Sequence, residues 1–223
     1  MDRIKKAFIT SIPVLMGYIV LGFAFGILLK SKGYPIYYAL IMSVFIYAGS
    51  MQFVAIDLLT SGASLLSSAI MTLLINARHI VYGLSMLKKY QKMGRYKPYM
   101  IFSLTDETYS LLVSETSDDR LYLFLISFFN QCYWVMGSLL GASVGSIITI
   151  NTTGLDFAMT ALFIVIVINQ FLENKDHRFS YIGFVVSIIC LLLFGASSFI
   201  IPSIIIIIIC LLLVNKVGVN HES

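Results

Sequence analysis

The sequence predicts an all-α integral membrane protein with six to seven transmembrane helices and one or two broken or re-entrant helical segments. The 223-residue chain is 59% hydrophobic and only 12% charged, whereas soluble domains contain about 25% charged residues. Its clustered charges leave uncharged runs that reach the roughly 20 residues needed to cross a bilayer. We expect one transmembrane domain over 1–223, with a motif-bearing half at 1–116 and a C-terminal helical half at 117–223.

Six helices follow from the uncharged runs, and they are predicted near 8–29, 63–87, 121–147, 155–172, 179–198 and 202–215. The first helix follows MDRIKK, which is also how a signal peptide begins. Its apolar part of 23 residues is too long for a signal sequence, and no small-x-small cleavage site follows it. We therefore expect it to remain as a helix. Gly195 and Pro202 separate the last two helices.

Segments 35–60 and 98–116 fit this pattern less well, and charge asymmetry suggests their arrangement. The stretch LKKYQKMGRYKP holds five basic residues and no acid, so it is predicted to be cytoplasmic, like the basic N-terminus. Two membrane crossings and one hairpin between the N-terminus and this stretch would place both on the cytoplasmic side. The hairpin is predicted at 35–60, with its weak point at YAGSMQ, and 98–116 is predicted to dip in from the cytoplasm. A weak charge bias at the N-terminus would instead allow 35–60 to cross.

Composition argues against several other function classes. The net charge of +4 comes mainly from loops that flank the helices, which indicates membrane orientation and no nucleic-acid partner. The three cysteines, Cys132, Cys190 and Cys210, lie in apolar segments without CxxC spacing. They are expected to be buried thiols, so no metal or other cofactor is predicted.

Glycines recur at a spacing of four in two of the predicted helices. Gly22 and Gly26 lie in the first helix, and Gly137, Gly141 and Gly145 lie in GSLLGASVG. Small residues at this spacing let helix backbones approach closely. We interpret the five glycines as helix-packing residues, in contact either within the chain or with another subunit.

The stretch TLLINARHIVYGLS places Asn76, Arg78 and His79 inside a predicted membrane helix. An ionisable residue at the centre of such a helix costs about 2.5–3.5 kcal/mol even on the lower scale, so it tends to face a cavity or a partner. On a continuous helix, Asn76 and His79 would share one face and Arg78 would lie nearly opposite. The alternative is that Arg78 lies near the cytoplasmic end and only anchors the helix.

The stretch YAGSMQF is a second candidate site. If a helix begins there within the membrane, Ser50 is a suitable N-cap. The backbone N–H groups of Met51 and Gln52 would then direct the positive end of the helix dipole inward, as in transporters that hold substrate carboxylates at broken helices. Ser50, Met51, Gln52 and Asn76 are therefore candidate substrate-binding residues. An ordinary kink in one tilted span is the alternative.

The stretch FSLTDETYSLLVS is the third candidate. On a continuous helix its polar residues form one stripe: Ser103, Asp106, Glu107, Ser110 and Ser114. A helix at the bilayer surface is one interpretation, but interfacial helices usually carry basic polar faces. Pairing with Arg78 or His79, or a water-filled cavity, accounts better for the acids. We therefore predict Arg78, His79, Asp106 and Glu107 as proton-coupling or charge-pairing residues.

Taken in order, the motifs SIPVLMGYIVLGFAFG, YAGSMQF, NARHIVYGLS and FSLTDETYSLL resemble the large subunit of AzlC-type branched-chain amino acid exporters. They extend from about Ser11 to Leu112, and the rest of the chain matches in length and hydropathy but only loosely in residues. The matching polar positions are Ser50, Gln52, Asn76, Arg78, His79, Thr105, Asp106 and Glu107. The resemblance implies a proton-coupled secondary transporter in the bacterial cytoplasmic membrane, which exports leucine, isoleucine, valine and methionine. It also implies an obligate small AzlD-type membrane subunit.

Three functional hypotheses follow. In the transport hypothesis, a polar cavity binds a zwitterionic amino acid, and either His79 or the Asp106/Glu107 pair exchanges a proton. An intramembrane acid/base enzyme is a rival, but the sequence has no HExxH or nucleophile-elbow motif, and no catalytic site is expected. A non-transporting subunit that stabilises its partner is the other rival.

Overall fold

The computed structural model describes residues 2–147 and 177–195, together with scattered positions between and after them (157, 160, 161, 164, 167, 168, 171, 172, 199, 202, 203, 205–207, 209 and 210). These residues form helices and turns, with no strand among them, so the all-α prediction is confirmed. The chain divides into two compact units, Met1–Ala161 and Leu162–Ser223. The helices predicted near 155–172 and 202–215 fall mostly outside the described residues.

Two long helices pack against each other along the first unit. Helix α1 spans Arg3–Ser31 and helix α8 spans Arg120–Ile147, and both are long and apolar enough to cross a membrane. Residues of both helices contribute to one buried cluster, in which the Trp134 ring of α8 packs edge-on against Tyr18 and stacks on Phe25 of α1. The two helices therefore form a scaffold on which the shorter segments pack.

The glycines predicted for helix packing lie at this contact between α1 and α8. A Cβ on Gly26 would lie 2.1 Å from the Ser138 carbonyl oxygen, and a Cβ on Gly141 would lie 2.0 Å from that of Phe23. Gly22 and Gly137 face equally rigid backbone at 3.0 and 2.8 Å, while Gly145 lies 3.3 Å from the Lys30 side chain. The contact is thus within the chain, at a separation that only glycine permits.

Helices α2 (Ile36–Phe45) and α3 (Gly49–Thr60) are separated by a break at 46–48, which is where the weak point was predicted. Tyr47 in this break has a φ of 42°, a left-handed conformation that is strained for a bulky side chain. The prediction that Ser50 is the N-cap of α3 is wrong. Ala48 occupies that position, and Ser50 is the second residue of the helix.

The continuous helix predicted near 63–87 is also wrong, because the chain forms two helices, α4 (Leu65–Asn76) and α5 (Arg78–Gln91), bent by 50°. Tight i→i+3 hydrogen bonds replace the regular helical pattern at the bend. The Ala77 N–H donates to the Leu74 carbonyl at 3.4 Å, and the Ile80 N–H donates to the Ala77 carbonyl at 3.1 Å. Together α4 and α5 meet the length and hydropathy requirements of one bent span or of a re-entrant loop.

A third break interrupts the segment predicted to dip in from the cytoplasm. A short 3₁₀ turn (Gly94–Tyr96) leads into α6 (Lys97–Phe102), and α7 (Asp106–Ser114) follows after a break at 103–105. Thr105 caps α7 by accepting a hydrogen bond from the Thr108 N–H at 3.3 Å. The single polar stripe drawn on a continuous helix is therefore wrong. Ser103 is buried in the break, whereas Ser110 and Ser114 are exposed.

The helix ends next to the basic loop are held by charged side chains. Lys89 donates hydrogen bonds to the carbonyl oxygens of Leu112 and Glu115, at the C-terminus of α7. Lys92 lies 2.6 Å from Asp118, and this ammonium group holds the pKa of the exposed Asp118 carboxyl below its usual range. Lys89 thus fixes the end of α7 to α5, the helix that begins with Arg78.

The second unit contains α9 (Arg178–Phe194) among its described residues. This helix ends at Phe194, four residues before the predicted bound of 198, and it stops at the predicted break because Gly195 follows with a φ of 73°. Within the described ranges, α1, α8 and the α4–α5 pair are the segments that meet the length and hydropathy requirements of a span. The predicted total of six to seven transmembrane helices stays a prediction.

The packing of α1 on α8 predicts that adding one methyl group at Gly26 destabilises the protein. Gly26→Ala is expected to cost about 2–3 kcal/mol, because its Cβ meets a backbone carbonyl that cannot move aside. Thermal unfolding in detergent, followed by size-exclusion chromatography, measures the effect. Gly17→Ala is the matched control, since it lies on the same helix with no atom within 4 Å of its Cβ. Equal melting temperatures for the two variants would contradict the close contact.

Candidate functional site

The three breaks meet at the side chain of Arg78. Its guanidinium Nη2 lies 2.9 Å from Asp106 Oδ2, at the start of α7. The same nitrogen donates to the hydroxyl oxygen of Ser50, in the first turn of α3, at 2.9 Å. About one fifth of each charged side chain is exposed (23% for Arg78 and 20% for Asp106). One cation therefore joins the N-terminal ends of three short helices, in a pocket with limited access to solvent.

A second hydrogen-bonded group surrounds Glu107, the residue next to Asp106. The buried Tyr18 of α1 donates to Glu107 Oε2 at 2.7 Å, and its hydroxyl oxygen lies 2.6 Å from Thr105 Oγ1. Thr105 Oγ1 in turn lies 2.9 Å from Thr108 Oγ1, to which Asn130 of α8 donates at 3.0 Å. This polar chain connects α7 to both scaffold helices.

Several buried polar atoms around these two groups form no hydrogen bond within the described part of the chain: Tyr47 Oη, Asn76 Oδ1, Arg78 Nε, Ser103 Oγ, Asp106 Oδ1 and Asn130 Oδ1. A buried polar group without a partner costs about 1–3 kcal/mol. A concentration of such atoms is therefore typical of a site that binds water or a polar ligand. Donors and acceptors are both present among them.

Gln52 and Met51 do not join Arg78, although they were predicted with Ser50. The buried Gln52 amide accepts a hydrogen bond from Trp134 Nε1 at 2.8 Å and donates to Ser43 Oγ at 3.3 Å. Met51 is buried in the packing of α3. Their contacts hold α3 against α2 and α8, and they leave Ser50 as the residue of this trio that reaches the ion pair.

His79 and Asn76 lie beside the cluster and are half-buried. The Nδ1 atom of His79 lies 3.1 Å from the carbonyl oxygen of Asn76, and the ring packs edge-on against Tyr82 at 5.8 Å. Neither contact joins His79 to Asp106 or Glu107. Asn76 ends α4 with its side-chain oxygen buried and unpartnered.

Four residues of this site were not selected from the sequence: Tyr18, Tyr47, Thr108 and Asn130. A tyrosine and an asparagine within apolar helices are weak signals, because both are also common in ordinary helix packing. Thr108 lies in the quoted TDET motif, where only its spacing from Thr105 indicates a capped helix start. The signal available in the sequence was a polar residue within each of several apolar segments. Only the fold shows that these residues lie close together.

The arrangement brings groups of both charges and several hydrogen-bonding atoms together in one place. Arg78 supplies a positive charge, Asp106 and Glu107 supply negative charges, and the unpartnered atoms supply further hydrogen bonds. Among the described residues no group of three or more His, Cys, Asp or Glu side chains is placed to hold a metal ion. The chemistry on offer is charge pairing, hydrogen bonding and proton exchange.

Comparison with known proteins places these residues in a family. The family model described as "AzlC protein" matches residues 13–148. The chain is 41% identical over 216 residues to a Bacillus subtilis protein named branched-chain amino acid transport protein AzlC, with 95% of this chain and 85% of that protein aligned. The chain belongs to the AzlC family.

Two other relatives are also named as membrane proteins. An uncharacterised membrane protein of Helicobacter pylori is 41% identical over 95% of both chains. The inner membrane protein YgaZ of Escherichia coli is 28% identical over 74% of this chain and 72% of its own length. No solved structure matches the chain.

The AzlC match includes both parts of the polar site, from Tyr18 to Asn130. It confirms the predicted family, and it assigns the chain a role in membrane transport. Every segment that contributes to the site lies in the first compact unit.

The Arg78–Asp106 contact predicts strong energetic coupling between the two side chains. In a double-mutant cycle with Arg78→Met and Asp106→Asn, we expect a coupling energy of about 1.5 kcal/mol or more, because each single variant leaves a poorly solvated charge. Reversible unfolding in mixed micelles measures it. The Lys92–Asp118 pair, whose side chains are 58% and 63% exposed, is the control and should show weaker coupling, of about 0.2–1 kcal/mol. Equal coupling in both pairs would contradict a sequestered site.

Proposed function

We propose that this protein is the large subunit of a secondary transporter that exports branched-chain amino acids. Leucine, isoleucine and valine are the proposed substrates, with methionine as a further candidate. Export is driven by the proton gradient, and the chain acts with a small AzlD-type membrane subunit. The observation that carries the proposal is the ion pair where three helix breaks meet, in a chain 41% identical to a branched-chain amino acid transport protein.

The proposed binding mode uses both charges of an amino acid. The substrate carboxylate binds beside Arg78 and the start of α3, where no side chain caps the helix, so the positive end of its dipole favours an anion. The ammonium group binds beside Asp106, whose Oδ1 atom is buried without a partner. The surrounding apolar side chains accept an aliphatic substrate. Substrate binding then competes with the Arg78–Asp106 contact.

Glu107 is the proposed proton carrier in preference to His79. Glu107 accepts a hydrogen bond from the buried Tyr18 of α1 and is adjacent to the Asp106 carboxylate, which pairs with Arg78 of α5. Its protonation therefore acts on both of these contacts. His79 contacts its own helix and Tyr82. A change of charge on His79 reaches α7 through the Tyr82 ring, which stacks on Tyr109, and not through a hydrogen bond to Asp106 or Glu107.

We place the chain in the bacterial cytoplasmic membrane with its N-terminus in the cytoplasm. The basic residues of the 88–97 stretch and those near the N-terminus would then face the same side. The ion pair between Arg3 and Asp119, at 2.7 Å, supports this orientation. It joins the start of α1 to the loop between α7 and α8, whose Asp118 contacts Lys92 of the basic stretch.

Efflux from cells fed with dipeptides tests the proposed substrates and partner. Cells that express this chain together with its small AzlD-type subunit should release leucine, isoleucine and valine faster than cells that express neither protein. Expression of this chain alone should give little release, and Arg78→Ala should reduce efflux about tenfold or more, because an uncompensated Asp106 remains in the site. Unchanged intracellular leucine in the co-expressing cells would refute the export proposal.

Glu107→Gln separates proton coupling from substrate binding. Gln keeps the shape of the side chain but carries no titratable proton. We expect net efflux driven by a pH gradient to fall about tenfold or more, because position 107 then binds no proton. Exchange of labelled for unlabelled leucine across proteoliposomes needs no net proton movement, so it should stay within about twofold. His79→Gln should retain both modes. Loss of coupling in the His79 variant alone would assign the proton to histidine instead.

A further inference from the structure

The hydroxyl groups around Glu107 make more contacts than they have protons to donate, if each hydrogen bond runs in the direction that its geometry favours. Tyr18 donates to Glu107 at 2.7 Å, and Thr105 donates to Thr108 at 2.9 Å. The oxygens of Tyr18 and Thr105 are themselves only 2.6 Å apart. A hydroxyl group has one proton to donate. If both outer bonds form in these directions, no proton is left for the contact between Tyr18 and Thr105.

Two self-consistent arrangements resolve this conflict. With Glu107 ionised, every hydroxyl donates towards it: Thr108 to Thr105, Thr105 to Tyr18, and Tyr18 to Glu107. With a proton on Glu107 Oε2, every bond reverses: Glu107 donates to Tyr18, Tyr18 to Thr105, and Thr105 to Thr108. Each hydroxyl keeps its own proton in both cases, so the change is three rotations about C–O bonds. The one proton gained or lost is that on Glu107.

The far end of the chain shows where this reversal has an effect. In the ionised arrangement, Thr108 uses its proton on Thr105 and accepts a hydrogen bond from Asn130 Nδ2, as observed at 3.0 Å. In the protonated arrangement, Thr108 has a free proton and needs an acceptor. Asn130 Oδ1 is buried without a partner, and the Tyr47 hydroxyl faces Thr108 and Tyr18 without a hydrogen bond of normal geometry. Either oxygen can accept that proton, Asn130 after its amide turns over.

We propose that Tyr18 is the positioning residue that transmits the protonation state of Glu107 to Thr105, Thr108 and Asn130. This inference rests on the proposed proton coupling and adds how the coupling reaches the helices. The reversal changes the direction in which the Thr105 hydroxyl, which caps α7, donates its proton. It also changes the contact between Thr108 and α8, and the hydrogen-bond partner available to the strained Tyr47. Asp106 and Arg78 are the charged groups that face Glu107 from the neighbouring ion pair, so the proton and the substrate act on adjacent residues.

Tyr18→Phe tests the inference in proteoliposomes that contain the full chain with its small subunit. The phenyl ring keeps the contact with Trp134 but breaks the hydroxyl chain at its centre. We expect the acceleration of net leucine efflux by an imposed pH gradient to fall about tenfold, because one hydrogen bond to a charged group is lost. Leucine exchange without a gradient involves no net change of protonation, so it should stay within about twofold of wild type.

Tyr133→Phe is the matched control. Tyr133 is also buried, and its hydroxyl lies 2.9 Å from that of Ser11, so it too joins α8 to α1 through one hydroxyl pair. It lies outside the chain around Glu107, and its removal should leave the response to the pH gradient unchanged. If the Tyr18 and Tyr133 variants lose the response equally, the effect is general destabilisation and the inference is overturned.

Thr108 gives a second test in case Tyr18→Phe does not fold. Thr108→Val removes the hydroxyl at nearly constant shape and should reproduce the loss of the pH-gradient response, whereas Thr108→Ser should restore it. Parallel loss of exchange and net efflux in the Val variant, or full coupling in it, would overturn the inference. A wild-type protein that moves no amino acid would instead refute the proposed function.

Discussion

The contacts of Arg78 with Ser50 and Asp106 determine how the three helix breaks are arranged relative to one another. A guanidinium in a membrane is stable only with partners for its charge and its donors. Here those partners come from the first turns of two other helices, and Arg78 itself begins a third. The negative Asp106 also lies where the dipole of α7 favours it. Formation of this single contact requires all three breaks to be present and close together.

Backbone breaks within a membrane protein need partners for the exposed N–H and C=O groups. Helix α8 supplies one such partner and several side-chain contacts to the short helices. Gln131 donates to the Val44 carbonyl at 3.0 Å, near the end of α2, and accepts a hydrogen bond from Tyr99 of α6 at 2.6 Å. Asn130 contacts Thr108 on α7, and Trp134 contacts Gln52 on α3. These polar residues lie on one stretch of a helix that the glycines hold against α1. The tight scaffold thus places the polar partners where the short helices end.

Some of this architecture could be predicted from the sequence, and the limits have physical causes. Composition predicted the membrane class, the glycine spacing indicated close helix packing, and Gly195 marked the end of α9, because these signals are local. The bend at 76–78 contains neither glycine nor proline. It depends on the long-range partners of Arg78, so a continuous helix was the natural expectation. Gln52 was interpreted as a substrate residue, whereas in the structure its amide contacts Trp134. Trp134 lies 82 positions away in the sequence, so local patterns could not predict this contact.

The unsatisfied groups favour a binding role for this cluster over a purely stabilising one. A core that only stabilised the fold would satisfy its polar atoms, since each one left without a partner costs free energy. Here all the unpartnered atoms of the cluster except Asn130 Oδ1 lie at or next to the three breaks. One of them belongs to Tyr47, whose φ is 42°, and strain of this kind persists where neighbouring structure enforces it. In the transport proposal, a zwitterion and a proton supply the missing partners. Short helices joined by breaks can then exchange contacts while α1 and α8 stay packed, which is the mechanical requirement for opening the site to one side at a time.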